Sequence, residues 1–506
     1  MAIVSSFLIP GTLLATAFIL KTKDKDRAAI FLLLIAAFII RLIVARANPF
    51  TYEWDERFHA LVAKNMMADP LKPVLHRHPV MPFAFWLWAD NYVWLHKPPL
   101  FLWQMALSMK IFGVTEYAGR YPSVLMGTIM VLPIYRIGYL LTKNGNIAFL
   151  AAALFSVSFY QLRLTAGYDI DHDDVSFGFY VLLSMWAYAE YVTTKKLKWI
   201  IWIGIFAGCA ILNKWLTGLL VYLGWGINIL LTIKRPGAKK EIGVLLLSLI
   251  VCCAVFLPWQ IYIHWRFPVE ALTEMEYNTR HVFEVVENHY GTVWYYLGNL
   301  DMYFGNGLWI LLLIGMMVAA RIAIDKKLYI ALMVSFLAVI CFFSFIVQTK
   351  MPAFIFVVAP IGFIFIAIAA VVWLQYVKGD AAKVLYVFIS LVLCYITLDV
   401  GRMSAQFSTA NTDRQHRIHN INVYKSLRKR LPENVRFIFN AKGADHVDVM
   451  FYNDAEAYNY YPDSLQFQRF ARRGIPIAVF RDGQQQVMPA YIKRYPHLFV
   501  INDTIY

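Results

Sequence analysis

Apolar runs of near-constant length recur along the chain as far as residue 401, separated by short polar connections, and this pattern predicts membrane-spanning helices. A helix rises about 1.5 Å per residue, so roughly 20 apolar residues cross about 30 Å of hydrocarbon. By that ruler about twelve spans lie near 3–20, 28–46, 118–141, 147–165, 174–193, 199–213, 216–233, 242–262, 296–320, 328–347, 353–376 and 384–400. The run 199–213 is short and is parted from the next only by Asn213-Lys214-Trp215. No basic residue precedes the first run and no small-residue cleavage site follows it, so it is read as a retained helix rather than a signal peptide.

From about 402 the pattern changes to that of a soluble domain. β-like runs at 435–439, 457–461, 475–480 and 498–501 alternate with helix-compatible stretches at 418–431, 464–473 and 490–495, which predicts a small α/β domain with a mainly parallel sheet. The predicted architecture is an α-helical polytopic membrane domain over 1–401, with long exterior loops at 47–117 and 263–295, followed by an exterior α/β domain over 402–506. The tail has neither a Gly-rich phosphate loop nor a clustered triad, so a structural or docking role is expected of it. No internal repeat is visible.

Composition agrees with the pattern. At 60% hydrophobic and 16% charged residues, the chain is neither a disordered segment nor, with five cysteines, a disulfide scaffold. All five, Cys209, Cys252, Cys253, Cys341 and Cys394, fall in apolar segments, where a thiol behaves as a small hydrophobe. The net charge of +15 would suggest nucleic acid in a soluble protein. Here the basic residues gather in short connections, at 21–27, 195–198, 234–240 and 321–327, all on one face if the spans alternate. The positive-inside rule makes that face cytoplasmic, contacting anionic lipid, and no nucleic-acid partner is expected. Both termini, the two long loops, the acidic turn 167–174 and the turn around Lys350 then lie outside.

The exterior face holds the candidate chemistry. Tyr52-Glu53-Trp54-Asp55-Glu56-Arg57-Phe58-His59 follows the second span, and carboxylates at the mouth of an apolar region are costly to desolvate. Alone, Asp55 would serve as a helix cap and Glu56 as a first-turn charge. In His96-Lys97-Pro98-Pro99 two prolines hold the backbone extended before a helix and present Lys97 near the membrane surface. Tyr168-Asp169-Ile170-Asp171-His172-Asp173-Asp174 places four carboxylates in one turn, which calls for cations opposite. Gln348-Thr349-Lys350-Met351-Pro352 puts another lysine at the outer end of a span.

These motifs, with Phe112-Gly113, Glu116-Tyr117-Ala118-Gly119-Arg120-Tyr121-Pro122-Ser123, Pro258-Trp259 and Gly291 through Tyr296, resemble the protein O-mannosyltransferase-related branch of the glycosyltransferase-C superfamily. That branch includes the 4-amino-4-deoxy-L-arabinose lipid A transferase. The resemblance is scattered over roughly 50–360 and is strongest in the first two motifs. It implies an integral membrane enzyme that moves a sugar, with inversion, from a polyprenyl-phosphate carrier to a lipid, glycan or protein hydroxyl at the exterior face of a bacterial inner membrane. By position, Asp55 matches the first-loop catalytic aspartate and would be the general base, with Glu56 beside it. Asp174, with Asp173 as its rival, would be the second acidic residue. Lys97 and Lys350 match the family's lysines and would offer positive charge to the leaving phosphate, with Arg57, Arg77, Arg163 and Tyr52 as further substrate contacts.

In the lipid A transferase the resemblance implies zinc held by an acidic residue beside that lysine and a histidine of the second long loop. Here His96 stands in that place, and His281 or His289 would be its partner, with His264, Asp171 and His172 as other candidates, although no close His spacing supports a site. The Trp-Trp-Asp motif of oligosaccharyltransferases is absent. Trp86, Trp88, Tyr92 and Trp94 are expected to form an interfacial belt, with sugar stacking as the other use of such a cluster. A cation- or proton-coupled transporter or flippase using Asp55 and the acidic turn is the competing function. Transporters place charge near the bilayer midplane and show repeats, and neither is seen here.

Overall fold

The computed structural model describes residues 5–84, 87–166, 171–485 and 487–506. Tyr168, Asp169 and Ile170 of the acidic turn, and Trp86 of the aromatic cluster, lie outside them. The chain forms two compact units. The first comprises Met1–Ala45, Lys97–Phe101 and Ser123–Ala405, and the second Arg46–His96, Leu102–Pro122 and Gln406–Tyr506.

The first unit is helical. Among the described residues, seven helices are long and apolar enough to cross a membrane, or eight if the bent pair Gly145–Val157 and Phe159–Ala166 is counted as one span. The shorter apolar helices Leu8–Thr22, Thr217–Leu231 and Leu308–Ile322, and the helix His172–Thr194, coincide with the remaining expected runs. Apolar side chains of helix Ala238–Arg266, such as Leu246, Ile250 and Ile261, stand exposed, which suits lipid and would be costly in water. Segment Pro352–Tyr376, by contrast, is almost wholly buried and forms the centre of the apolar core.

Helices in lipid gain by close approach, and small residues permit it. Gly204 and Gly208, four apart, face Ser248, Val251, Cys252 and Val255 of the neighbouring helix, and a Cβ on Gly315 would lie 1.8 Å from the carbonyl oxygen of Phe365. Two expected spans are broken. The run 147–165 bends by 54° at Ser158. The run 296–320 is three pieces, Tyr295–Gly298, Leu300–Phe304 and Leu308–Ile322. Gly305 and Gly307, at φ 106° and 73°, interrupt the helix there, and Asp301 Oδ1 accepts from the Gly307 amide at 2.7 Å.

The second unit holds a four-stranded, all-parallel sheet of order β2-β1-β3-β4, with β1 Phe437–Phe439, β2 Glu456–Ala457, β3 Ile477–Phe480 and β4 Leu498–Ile501. Helices Thr412–Arg430, Ser464–Ala471 and Ala490–Lys493 match the expected stretches, and His446–Tyr452 is a helix that the pattern does not announce. The expected boundary at 401/402 needs correction. The tail does not stand alone but shares its unit with most of the first long loop. The reasons are local: Arg414 donates to Asn48 Oδ1 at 2.7 Å and to the Ala47 carbonyl at 2.8 Å, and Met81 joins the sheet's apolar core.

Candidate active site

In the first unit the carboxylates are organised by a helix start. Asp171 caps helix His172–Thr194, accepting from the Asp173 amide at 3.0 Å, and Asp173 and Asp174 fall in its first turn, where the helix dipole favours negative charge. Both are buried. Lys214, at the end of helix Leu197–Lys214, reaches them: its Nζ is 2.5 Å from Asp174 Oδ1 and 3.6 Å from Asp173 Oδ2. Neither Asp173 oxygen has a hydrogen-bond partner among the described residues. His172 Nδ1 lies 2.7 Å from Ser123 Oγ. Lys97 follows as the prolines predict, with its helix starting at Leu100, and its charge acts on Asp173, Asp174, Glu274 and His281.

The second long loop contributes helix Pro268–Phe283, which buries Glu274. Burial pushes the Glu274 carboxyl up to about 7 against the opposing pull of Lys97, and burial followed by Lys97 holds His281 below the usual imidazole range. This loop is sewn to the Gln348-Thr349-Lys350 turn. The amides of Gln348, Thr349 and Lys350 donate to the carbonyls of Val282, His281 and His289 at 3.1, 3.3 and 3.0 Å. Lys350 is buried, and its Nζ donates to the carbonyls of Phe343, Ser344 and Val347, where segment Phe342–Ile346 opens into a π turn and leaves acceptors over. The ammonium therefore closes a helix end, and Gly291 packs directly on its side chain. Arg163 is half-buried, with its charge acting on the Tyr295 phenol.

The second unit holds the Asp55 motif. Helix Asp55–Met66 starts on the half-buried Asp55 itself. Glu56 is committed elsewhere: buried, it accepts from Arg120 Nε at 2.6 Å and Nη2 at 2.9 Å and from the Tyr52 amide at 2.7 Å. Arg120 also donates to the carbonyls of Asn48 and Phe50 and covers the Tyr52 ring at 5.5 Å, so Glu56, Tyr52 and Arg120 together shape the loop that carries Asp55. Arg57 points to the tail, 3.0 Å from Asp445 Oδ1 and 3.3 Å from Asp448 Oδ2. Arg77 is exposed on the wall of a cavity in this unit.

The aromatic expectation is corrected. Trp94 is 0% and Trp88 8% exposed, so they are core rather than an interfacial belt. His96 is stacked on Trp88 at 4.8 Å and meets the edge of Trp94 at 5.7 Å. That packing bears on the metal. Among the described residues no three His, Cys, Asp or Glu side chains gather to hold an ion, and no step is routed through one.

Lys214, Glu274 and Arg120 are the residues that sequence reasoning passed over. Lys214 had a signal, a lysine at the break between two spans on the acidic face. Arg120 lay within the Glu116–Ser123 motif without being singled out, and Glu274 had no signal beyond being a charge in an amphipathic helix.

A sequence model of the dolichyl-phosphate-mannose-protein mannosyltransferase family matches residues 96–262. The undecaprenyl phosphate-alpha-4-amino-4-deoxy-L-arabinose arabinosyl transferase 1 of Pseudomonas fluorescens (strain Pf0-1) is 29% identical over 179 residues, 35% of this chain and 31% of that protein. The putative mannosyltransferase YycA of Bacillus subtilis (strain 168) is 26% identical over 245 residues, 48% of this chain and 33% of that one. These matches span about a third of the curated relatives' lengths. The crystal structure of ArnT from Cupriavidus metallidurans bound to undecaprenyl phosphate aligns with a TM-score of 0.65 at 14% identity, covering 88% of each chain, which is a likeness of fold. Apolar spans and fold together describe an integral membrane protein with a glycosyltransferase-C-like fold, and the partial match to the mannosyltransferase family model accompanies them.

Proposed function

We propose that this protein is an inverting glycosyltransferase that takes a sugar from a polyprenyl-phosphate carrier and places it on the hydroxyl of a lipid, glycan or protein acceptor at the exterior face of a bacterial inner membrane. The observation that carries the reading is the pair of buried carboxyls Asp173 and Asp174 with Lys214 against them and Lys97 in electrostatic reach. Buried charges in a membrane protein are expensive and mark function by default. The named relatives, an undecaprenyl-phosphate arabinosyl transferase and a putative mannosyltransferase, support the donor class. An exterior site supports it too, since chemistry outside the membrane cannot count on nucleotide-sugars.

In the reaction, the acceptor oxygen forms a bond to the anomeric carbon as the bond from that carbon to the carrier phosphate breaks on the opposite side. Asp55 takes the acceptor proton. The leaving electron pair stays on the phosphate, where Lys97 stabilises the growing negative charge. Lys214 pairs with Asp174 and lies beside Asp173, holding both carboxyls in place, so that Asp174 orients the acceptor. Lys350 and Arg163 shape the wall of the site from the second loop and the bent span.

The test is transfer of labelled sugar from a polyprenyl-phosphate donor by the purified protein, wild type against Asp55→Asn. A loss of at least a hundredfold in the variant, with its thermal unfolding unchanged, is expected. Full activity would remove Asp55 as the base.

A further inference from the structure

The second unit contains a cavity of about 440 Å³, within the range of small-molecule sites. One wall is apolar, formed by Leu61, Leu75 and Phe437. The rest is polar and rigidly supported. Lys64 at its edge donates to the carbonyls of Met450, Phe451 and Asn453 at 2.7, 3.0 and 2.9 Å, closing the end of helix His446–Tyr452. Glu456 pins the turn on both sides of Arg77: Oε2 lies 2.8 Å from His76 Nδ1, and Oε1 accepts from the His78 amide at 2.7 Å.

Two groups at this cavity lack partners. Arg77 is an exposed guanidinium with no hydrogen bond or ion pair among the described residues, although the backbone carrying it is fixed. Asn453 is 6% exposed; its amide nitrogen donates to the Tyr424 and Val449 carbonyls, and its Oδ1 is buried with no hydrogen bond. An orphaned buried acceptor costs about 1–3 kcal/mol. Burial draws the Lys64 ammonium down to about 8; among the neighbouring charges Asp454 and Glu456 oppose this and Arg77 and Arg428 add to it.

We infer that this cavity is a second, non-catalytic binding site for an anionic saccharide, with Arg77 pairing the anion and the half-buried Phe437 covering an apolar sugar face. A guanidinium forks onto phosphate and carboxylate alike. The choice of a saccharide rests on the transferase reading, whereas the anion site does not. A site of this kind would hold the anionic part of a glycan or glycolipid acceptor.

The test is saturation-transfer difference NMR on the full-length protein in detergent, with glucose 1-phosphate, glucuronic acid, glucose and methyl phosphate as probes. Saturation of at least one anionic sugar is expected to exceed that of glucose and methyl phosphate severalfold. It should fall at least fivefold in Arg77→Ala and in Ala455→Trp, which fills the cavity from a half-exposed position, while both variants keep the wild-type unfolding temperature. Whether glucose 1-phosphate or glucuronic acid gives the stronger signal identifies phosphate or carboxylate as the anion. Equal saturation of methyl phosphate would overturn sugar recognition, and signals that persist in both variants, or no signal at all, would overturn the site. Sugar transfer measured on the same samples separates the readings: transfer without cavity-dependent binding sinks this inference alone, and binding without transfer sinks the catalytic reading alone.

Discussion

Charged residues in this chain carry very different physics depending on what surrounds them. Glu274 is buried, and its carboxyl titrates near 7 because burial disfavours the anion more than Lys97 favours it. A carboxyl raised from 4.5 in the unfolded chain to about 7 when folded adds stability in full below 4.5 and loses it as pH rises through 7. The wild type should therefore lose stability relative to Glu274→Gln between pH 5 and 8, by at most about 3 kcal/mol, and thermal unfolding of the two proteins at both pH values measures this. A constant difference across that range would mean that Glu274 is ionised throughout.

The same scale shows what the sequence made legible. Lys97 stands out because two prolines fix it. Glu56 looked like a companion to Asp55, and only its burial under Arg120 reveals a positioning role. A side chain's partner depends on contacts far apart in sequence, 64 residues in this pair, and no local pattern encodes them.

At the scale of elements, hydrophobic length fixed where helices run but not where they break. The expected span 296–320 contains Gly305-Asn306-Gly307, and its two left-handed glycines stop the helix despite the apolar residues on either side. The run 147–165 gave no comparable warning, since its 54° bend falls at Ser158 between Val157 and Phe159. Packing imposes a further constraint. With Gly315 against the Phe365 carbonyl, helix Leu308–Ile322 and segment Pro352–Tyr376 are as close as their backbones permit. Gly315→Val must push them apart, at a cost of about 1–3 kcal/mol or more, seen as a lower unfolding temperature and a reduced yield of monodisperse protein. An unchanged unfolding temperature would show that this contact is loose.

For the whole molecule, the alternation of apolar runs and basic connections was enough to read a polytopic membrane protein with an α/β tail. The parallel sheet followed from strands alternating with helices. What the sequence pattern divided wrongly was the first long loop, because a polar loop does not show what it packs against. Its union with the tail rests on contacts such as Arg57 with Asp445 and Asp448. The net charge of +15 likewise separates into basic connections between apolar runs and a few cations, Lys97, Lys214 and Arg77 among them, that face carboxylates or an open cavity.

The central claim is the donor class. Purified protein in bilayers, given an acceptor glycolipid extract and either a radiolabelled polyprenyl-phosphate sugar or the matching nucleotide-sugar, should move label only from the lipid-linked donor, and Lys97→Ala should slow that transfer. Transfer from the nucleotide-sugar, or none from any lipid-linked donor offered, would contradict the account.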